Sequence, residues 1–293
     1  MTNGGEVGAL RRVVVKHART AFADPDEIAR DWKTLNFTAP PDAERAAAEY
    51  ERFLEALTST GAEVLALPAN GDTTLDSIYV RDASLITPHG IVLCRMGKTE
   101  RGTEPSAQRA AYESWGLPIV GAITSPGTIE GGDVLWLDER TVAVGRGYRT
   151  NEAGIAQLRA LLGDAVDEVI VVPLPHWRGP ADVFHLMSVI SPVDDDLAVV
   201  YSPLMPVPFR EMLAARGTQF VEVPEQEFES MGANVLALGP RDCLIVEGNP
   251  VTQARLEAAG ARVQTYAGTE ISLKGGGGPT CLTRPLERTL TKP

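Results

Sequence analysis

A surplus of basic charge, a long apolar run and a cysteine framework are all missing from this chain of 293 residues. Lysine and arginine total 27 against 39 aspartates and glutamates, a formal net charge of −12. That balance argues against nucleic acid as a partner, because such binding rests on basic patches that neutralise phosphates. It suits a small cationic substrate, although acidity of this kind is most often a solubility feature. No uninterrupted apolar stretch approaches the roughly 18 to 20 residues that cross a bilayer. The opening MTNGGEVGALRRVVV has no leader-like apolar core, so the expectation is a cytoplasmic protein without membrane contact. Thiols occur only at Cys94, Cys243 and Cys281; three cannot all pair, and without a secretory signal they read as reduced. Neither a Walker A pattern nor a dinucleotide-binding glycine fingerprint opens a helix; the run Gly275 to Gly278 leads instead into Pro279, Thr280 and Cys281. Nucleotide cofactors are therefore not expected. The cysteines and the four histidines lack close metal-ligand spacing, and no metal is expected either. Self-association is left open.

What the chain has is repetition. An amphipathic helical stretch leading into an apolar strand recurs five times, as AAAEYERFLEALTSTGAEVLALP, SAQRAAYESWGLPIVGAI, AGIAQLRALLGDAVDEVIVVPL, FREMLAARGTQFVEVP and VTQARLEAAGARVQTY. Polar loops and further strand-like segments alternate with these units, and at their entrances stand Asp82, Glu130, His185, Asn234 and Cys281. Even spacing predicts one closed α/β unit over residues 1–293, a five-bladed propeller of ββαβ repeats whose equivalent positions face a common centre. The first strand, LRRVVV, is expected to close the ring with the C-terminal segment, since closure removes exposed sheet edges. Thr20 to Asp42 fits no repeat and is expected to be a loop, with Trp32, Leu35 and Phe37 suiting it to cover a pocket.

Several residues could carry chemistry. Cys281 ends a glycine-rich loop, where main chain can approach a ligand closely; Cys94 and Cys243 lie inside apolar runs and read as inert buried thiols. His185 stands at a repeat-equivalent entrance and is a candidate acid and base for a cysteine nucleophile, although a lone histidine is usually structural. Glu130 and Asp133 flank two glycines ahead of an apolar strand, as a tight backbone near a ligand or as a solvated turn. Asp82, in YVRDASLI, should be buried and needs a cation, either Arg81 or a bound substrate. Arg101 and Arg149 lie in loops and have the fork geometry that clamps a carboxylate.

YVRD, EGGDVL, GYRTNEAG, HLMS, GANVL and GGGGPTC follow one another at spacings that resemble the guanidine-modifying enzyme superfamily of arginine deiminases, dimethylarginine dimethylaminohydrolases and amidinotransferases. The resemblance covers nearly the whole chain. It implies the five-bladed propeller known as the pentein fold, and a metal-free, cofactor-free hydrolysis of a guanidino substrate through a covalent adduct on cysteine. It implies Cys281 as nucleophile, His185 as general acid and base, and Glu130 as the carboxylate that holds the histidine. Asp82 would bind the guanidinium, Asp76 the substrate amine, and Arg101 and Arg149 the substrate carboxylate, with Asp133 beside them as a further binding residue. Two departures bear on the substrate. Met187 stands where deiminases and amidinotransferases place a second guanidinium-binding aspartate, which favours alkylated guanidines; Arg81 replaces an acidic residue of the dimethylaminohydrolases. The alternatives are a deiminase, an amidinotransferase and, from another class, a non-catalytic propeller that binds a partner.

Overall fold

The computed structural model describes residues 5–182 and 184–289, so the ends of the expected 1–293 unit lie outside the described residues. Strands β1 (Leu10–Val15) and β2 (Glu63–Ala66) run parallel and are joined by the helix Ala43–Thr58. Four sheets of one pattern follow: an antiparallel pair, a helix, and a third strand parallel to the second. They comprise β3 (Ser84–Thr87), β4 (Gly90–Leu93) and β5 (Ile119–Ala122); then β6 (Val134–Trp136), β7 (Thr141–Arg146) and β8 (Glu168–Pro173). Next come β9 (Ile190–Asp194), β10 (Leu197–Val200) and β11 (Gln219–Glu222), and then β12 (Leu236–Gly239), β13 (Asp242–Val246) and β14 (Arg262–Tyr266). Finally β15 (Arg284–Arg288) returns antiparallel to β1, so the first sheet also has the ββαβ pattern, its strands drawn from both ends of the chain. The pairing expected of LRRVVV is found.

Local sequence explains the crossover helices. Asp42 caps Ala43–Thr58 by accepting the amides of Glu44 and Arg45, and Asn151 caps Glu152–Leu162 through the amide of Gly154. Each cap satisfies amides that the helix itself leaves unbonded. Prolines in the first turn start Glu104–Ser114, Val207–Ala215 and Pro250–Ala258, where a missing N–H costs nothing.

The period of two along the strands decides how the sheets pack. Val13 and Val15 enter one apolar core with β12 and β13, while Val14 between them enters another with Ile86, Ile91 and Leu93. Leu85 instead packs with Val134 and Trp136; Leu135 packs with Ala198 and Val200; Leu197 and Val199 pack with Cys243 and Ile245. Leu244 and Val246 complete the cycle against β1. Each sheet is buried on both faces, and five cores alternate with five sheets around a closed course.

Thr20–Asp42 departs from the expected loop. It holds a helix over Pro25–Asp31, capped by Asp24 with Pro25 at its first position, a start signal that the search for apolar periodicity passes over. Leu35 and Phe37 are buried in the core beside Tyr50 and Phe53. Among the described residues no helix is long and apolar enough to cross a membrane.

Candidate active site

A cavity of about 240 Å³ opens where the five sheets converge, and Asp82, His185, Asn234 and Cys281 line it. Each stands a few residues ahead of the strand that opens its sheet. Glycine shapes the cysteine loop: Gly276 has φ +75°, and a Cβ on Gly278 would meet the Asn234 carboxamide at 2.5 Å. That close approach puts the Asn234 side chain on the thiol. Its Nδ2 donates to Cys281 Sγ at 3.3 Å, while its Oδ1 accepts from the amide and hydroxyl of Thr280 at 3.0 and 2.8 Å. Cys94 and Cys243 are buried in strands or cores, whereas Cys281 is partly exposed.

His185 caps the single 3-10 turn Leu186–Ser188, its amide donating to Ser188 Oγ at 3.0 Å. Its Nε2 lies 2.7 Å from Glu130 Oε2, and its Nδ1 lies 3.9 Å from Asp82 Oδ1. Glu130 is fully buried behind the imidazole; its other oxygen accepts the amides of Gly97 and Lys98, both at 2.9 Å, and has Arg149 Nη1 at 3.6 Å. Asp82 accepts the Gly132 amide at 2.9 Å and Arg101 Nη1 at 2.6 Å.

Burial alone would push the His185 imidazole down, but the carboxylates of Asp82, Asp133 and Glu130 outweigh it and lift the pKa to about 9. For Glu130, burial likewise opposes the charged form and is overcome by the hydrogen-bonded imidazole and by Arg149 and Arg101, leaving this carboxyl well below its usual range. Asp82 is also held low, against burial, by His185 and Arg101. Burial and the Asp82 charge raise the Cys281 thiol, with Asn234 and Thr280 pulling the other way. At neutral pH the resting pair is thus a protonated thiol and an imidazolium.

The remaining expected residues are placed differently from one another. The Arg101 guanidinium lines the cavity, yet its fork is taken: Nε and Nη2 hold both oxygens of Glu104 at 2.8 Å, Nη2 also reaches the Tyr79 carbonyl at 2.8 Å, and Nη1 holds Asp82. Asp76 Oδ2 accepts from Lys98 Nζ at 2.6 Å, and that ammonium also donates to the Leu35 carbonyl at 2.8 Å. Arg149 lines the cavity with a buried Nη1 that makes no hydrogen bond. Asp133 is not among the lining residues; its Oδ1 accepts the Leu186 amide at 2.9 Å, and burial lifts its pKa to about 6. The expected substrate contact at Asp133 is corrected accordingly: it points behind the wall and anchors the turn that carries His185.

The family model for arginine deiminase matches residues 74–208 and 205–288, which take in all five entrances. The chain belongs to the arginine deiminase family. It is 32% identical over 212 residues to the N(G),N(G)-dimethylarginine dimethylaminohydrolase of Streptomyces coelicolor, covering 72% of this chain and 75% of that one. Among solved structures, DDAH from Pseudomonas aeruginosa complexed with citrulline is similar with a TM-score of 0.74 at 20% identity, covering 94% of this chain and 98% of that one. The N-terminal domain of ArgZ, an arginine dihydrolase from cyanobacteria, bound to substrate, gives 0.79 at 21% identity, with 95% and 99% covered. At such identities the structural likeness speaks for the fold.

In this arginine deiminase family member, some site residues carry little sequence signal. Lys98 stands in MGKTER without periodicity, and nothing local marks it as the partner of Asp76. Glu104 was detectable, because it follows Arg101 by one helical turn, the spacing at which opposite charges meet. Asn234 was marked by its entrance position alone, which gave no hint that it donates to the thiol. Among the described residues, Asp82, Glu130 and His185 form a grouping with metal-like spacing, their ligand atoms within 4.8 Å of one another. In this family member their oxygens already accept guanidinium, imidazole and amide hydrogens, so the charges are balanced by Arg101, Arg149 and His185.

Proposed function

We propose that this protein is a cysteine-dependent hydrolase of a guanidino substrate, with methylated arginine, cleaved to citrulline and an amine, as the substrate class. The observation that carries the reading is the convergence of the Cys281 thiol, the His185–Glu130 pair and the Asp82 carboxylate from four sheets around one cavity. The cyclic alternation of five sheets and five cores supports reading the fold as a five-bladed propeller that works as one catalytic unit over residues 1–293. Three unpaired cysteines suit a reducing, cytoplasmic setting.

Guanidinium is resonance-stabilised and a poor electrophile, so it must be fixed beside a strong nucleophile while the departing amine receives a proton. In the proposed reaction Asp82 orients the guanidinium. The substrate's charge then offsets the burial and the Asp82 charge that hold the Cys281 proton, and the thiol loses it to solvent. The thiolate attacks the guanidinium carbon. His185, kept protonated by its carboxylate neighbours, gives the proton at Nδ1 to the departing amine, leaving an amidino group on sulfur. Neutral His185 next takes a proton from water as the water attacks that carbon, and collapse of the adduct expels the thiolate and releases the ureido product. No step uses a metal or cofactor.

Met187 lines the cavity next to His185 and offers no hydrogen-bond acceptor comparable to a carboxylate, which supports an alkylated guanidine. The family match supports a second reading, deimination of unsubstituted arginine. Turnover of arginine, monomethylarginine and asymmetric dimethylarginine, followed by ureido product and released amine, separates the two: dimethylarginine should have the highest kcat/KM. Product formation retained in Cys281→Ser would overturn the mechanism for every substrate. A folded wild type inert toward all guanidines would leave the non-catalytic binding reading.

A further inference from the structure

Beside the catalytic cavity lies a cluster of cations to which the proposed reaction assigns no step, and one of them, Arg81, also lines that cavity. Arg81, Arg284 and Arg288 are all buried, and the pKa values of Arg284 and Arg288 are pushed down to about 10 by burial and by the neighbouring guanidinium. Among the described residues, Glu6 is the one carboxylate within ion-pair distance of any of them, with Oε2 at 2.7 Å from Arg81 Nη2. Arg81 Nε and Nη1, Arg284 Nε and Arg288 Nε make no hydrogen bond. Burial opposes the Glu6 charge, and the three guanidiniums overcome it. Three guanidiniums sharing one carboxylate in a poorly solvated space make the removal of that carboxylate costly, because an uncompensated buried charge remains.

The cluster is joined to the chemistry through main chain. Arg81 donates its amide to the Cys281 carbonyl at 3.2 Å, and its own carbonyl accepts from Arg284 Nη2. The next residue is Asp82, whose carbonyl accepts the Gly131 amide at 2.9 Å. Gly131 packs so closely on the Arg81 carbonyl and the Arg284 guanidinium that no Cβ fits there, so a shift of Arg81 reaches both sides of the site. On its outer side, Glu6 borders a separate cavity of about 490 Å³, lined also by Gly5, Val7, Trp136 and Pro192, which shares no lining residue with the catalytic one.

We propose that Glu6 is a positioning residue, which fixes through Arg81 the main chain bearing Asp82 and abutting Cys281, and that the space of its carboxylate becomes a site for a small monocarboxylate anion once the side chain is shortened. The inference rests on the hydrolase reading for its kinetic part only. A misplacement near one ångström costs about 100-fold in rate, so Glu6→Ala should lose about that factor in kcat with KM little changed. Sodium formate, added at constant ionic strength, should restore kcat saturably in Glu6→Ala and leave the wild type unaffected. Parental kcat in Glu6→Ala, or a loss that formate does not repair in the folded variant, overturns the proposal. Formate should also raise the Tm of Glu6→Ala and not of the wild type, a readout that holds if no guanidine proves to be a substrate. Should Glu6→Ala fail to fold, the double variant Glu6→Gln/Arg81→Met should melt above Glu6→Gln; an equal or lower Tm counts against the pairing.

Discussion

The entrances of the second to fourth sheets and those of the fifth and first sheets differ in charge, although they occupy comparable positions. Asp82, Glu130 and His185 are ionised groups locked together by short hydrogen bonds and by Arg101 and Arg149. Asn234 and Cys281 are neutral, and among the described residues no ion pair holds the thiol; it has an amide at 3.3 Å and a hydroxyl at 3.8 Å. The charged half is prepared before substrate arrives. The neutral half is not: burial and the Asp82 charge raise the thiol, Asn234, Thr280 and Arg81 offset them only in part, and a cation beside the sulfur would complete the offset. Under the proposed function the substrate supplies that cation, which ties nucleophile activation to occupancy and keeps a partly exposed thiol quiet in the free protein.

The sharpest way to break the comparison is Cys281→Ser, which should reduce turnover to background, a loss on the order of 10⁶-fold if it matches removal of other enzyme nucleophiles. Cys94→Ser and Cys243→Ser should keep activity and lower Tm. In the wild type, alkylation of Cys281 by iodoacetamide should be slow and should accelerate as pH rises; fast, pH-independent labelling near neutrality would show a preformed thiolate and dissolve the contrast.

On the charged side, His185→Gln should lower kcat by about 100- to 10,000-fold, the span of general acid–base contributions. The pH dependence has a definite sign. Because the folded pKa of His185 is raised, its stabilisation is full below the unfolded value near 6.5 and is lost as pH rises through about 9. Tm and kcat should therefore both decline on the alkaline side. Glu130→Gln should move that alkaline limb of kcat to lower pH, and a limb that stays in place would mean that the imidazole is charged by other groups.

Asn234→Ala removes the hydrogen bond to sulfur and should cost about 10-fold in kcat/KM, the scale of a hydrogen bond to an ionised group. Iodoacetamide titration of this variant should show the thiol pKa displaced upward. The smallest effect expected is one of preference. In Met187→Asp, unsubstituted arginine gains a partner for N–H groups whose unpaired burial costs about 1 to 3 kcal/mol each, so the kcat/KM ratio of arginine to dimethylarginine should rise by roughly 10-fold or more. An unchanged ratio would show that Met187 does not face the substituted nitrogens.

The repeat pattern was legible because the helices of each unit leave periodic apolar traces, and burial on both faces of every sheet makes the strands between them read as short continuous apolar runs. The entrances could be read too, since equivalence between units predicted that Asp82, Glu130, His185, Asn234 and Cys281 would meet. Partners resisted reading. Nothing in the local sequence pairs Lys98 with Asp76, Glu6 with Arg81 or Asn234 with Cys281, because long-range ion pairs and hydrogen bonds have no period. Asp133 misled for a related reason: Glu-Gly-Gly-Asp presents two carboxylates close together, but the short turn sends Glu130 to the imidazole and Asp133 to the Leu186 amide. The Thr20–Asp42 segment showed its buried aromatics and concealed its helix, since Pro25–Asp31 buries only Ile28 and so has no apolar stripe.

The alternation of Val13, Val14 and Val15 between two cores has a consequence for how the molecule comes apart. In an open row of repeats an end unit can fray while the rest persists, because it contacts one neighbour. Here no sheet is an end unit: removing any one strips apolar cover from both sheets beside it. Partial forms with four sheets ordered should therefore be scarce, and amides on β4, β7, β10 and β13, in four different sheets, should exchange with deuterium through the same global opening event.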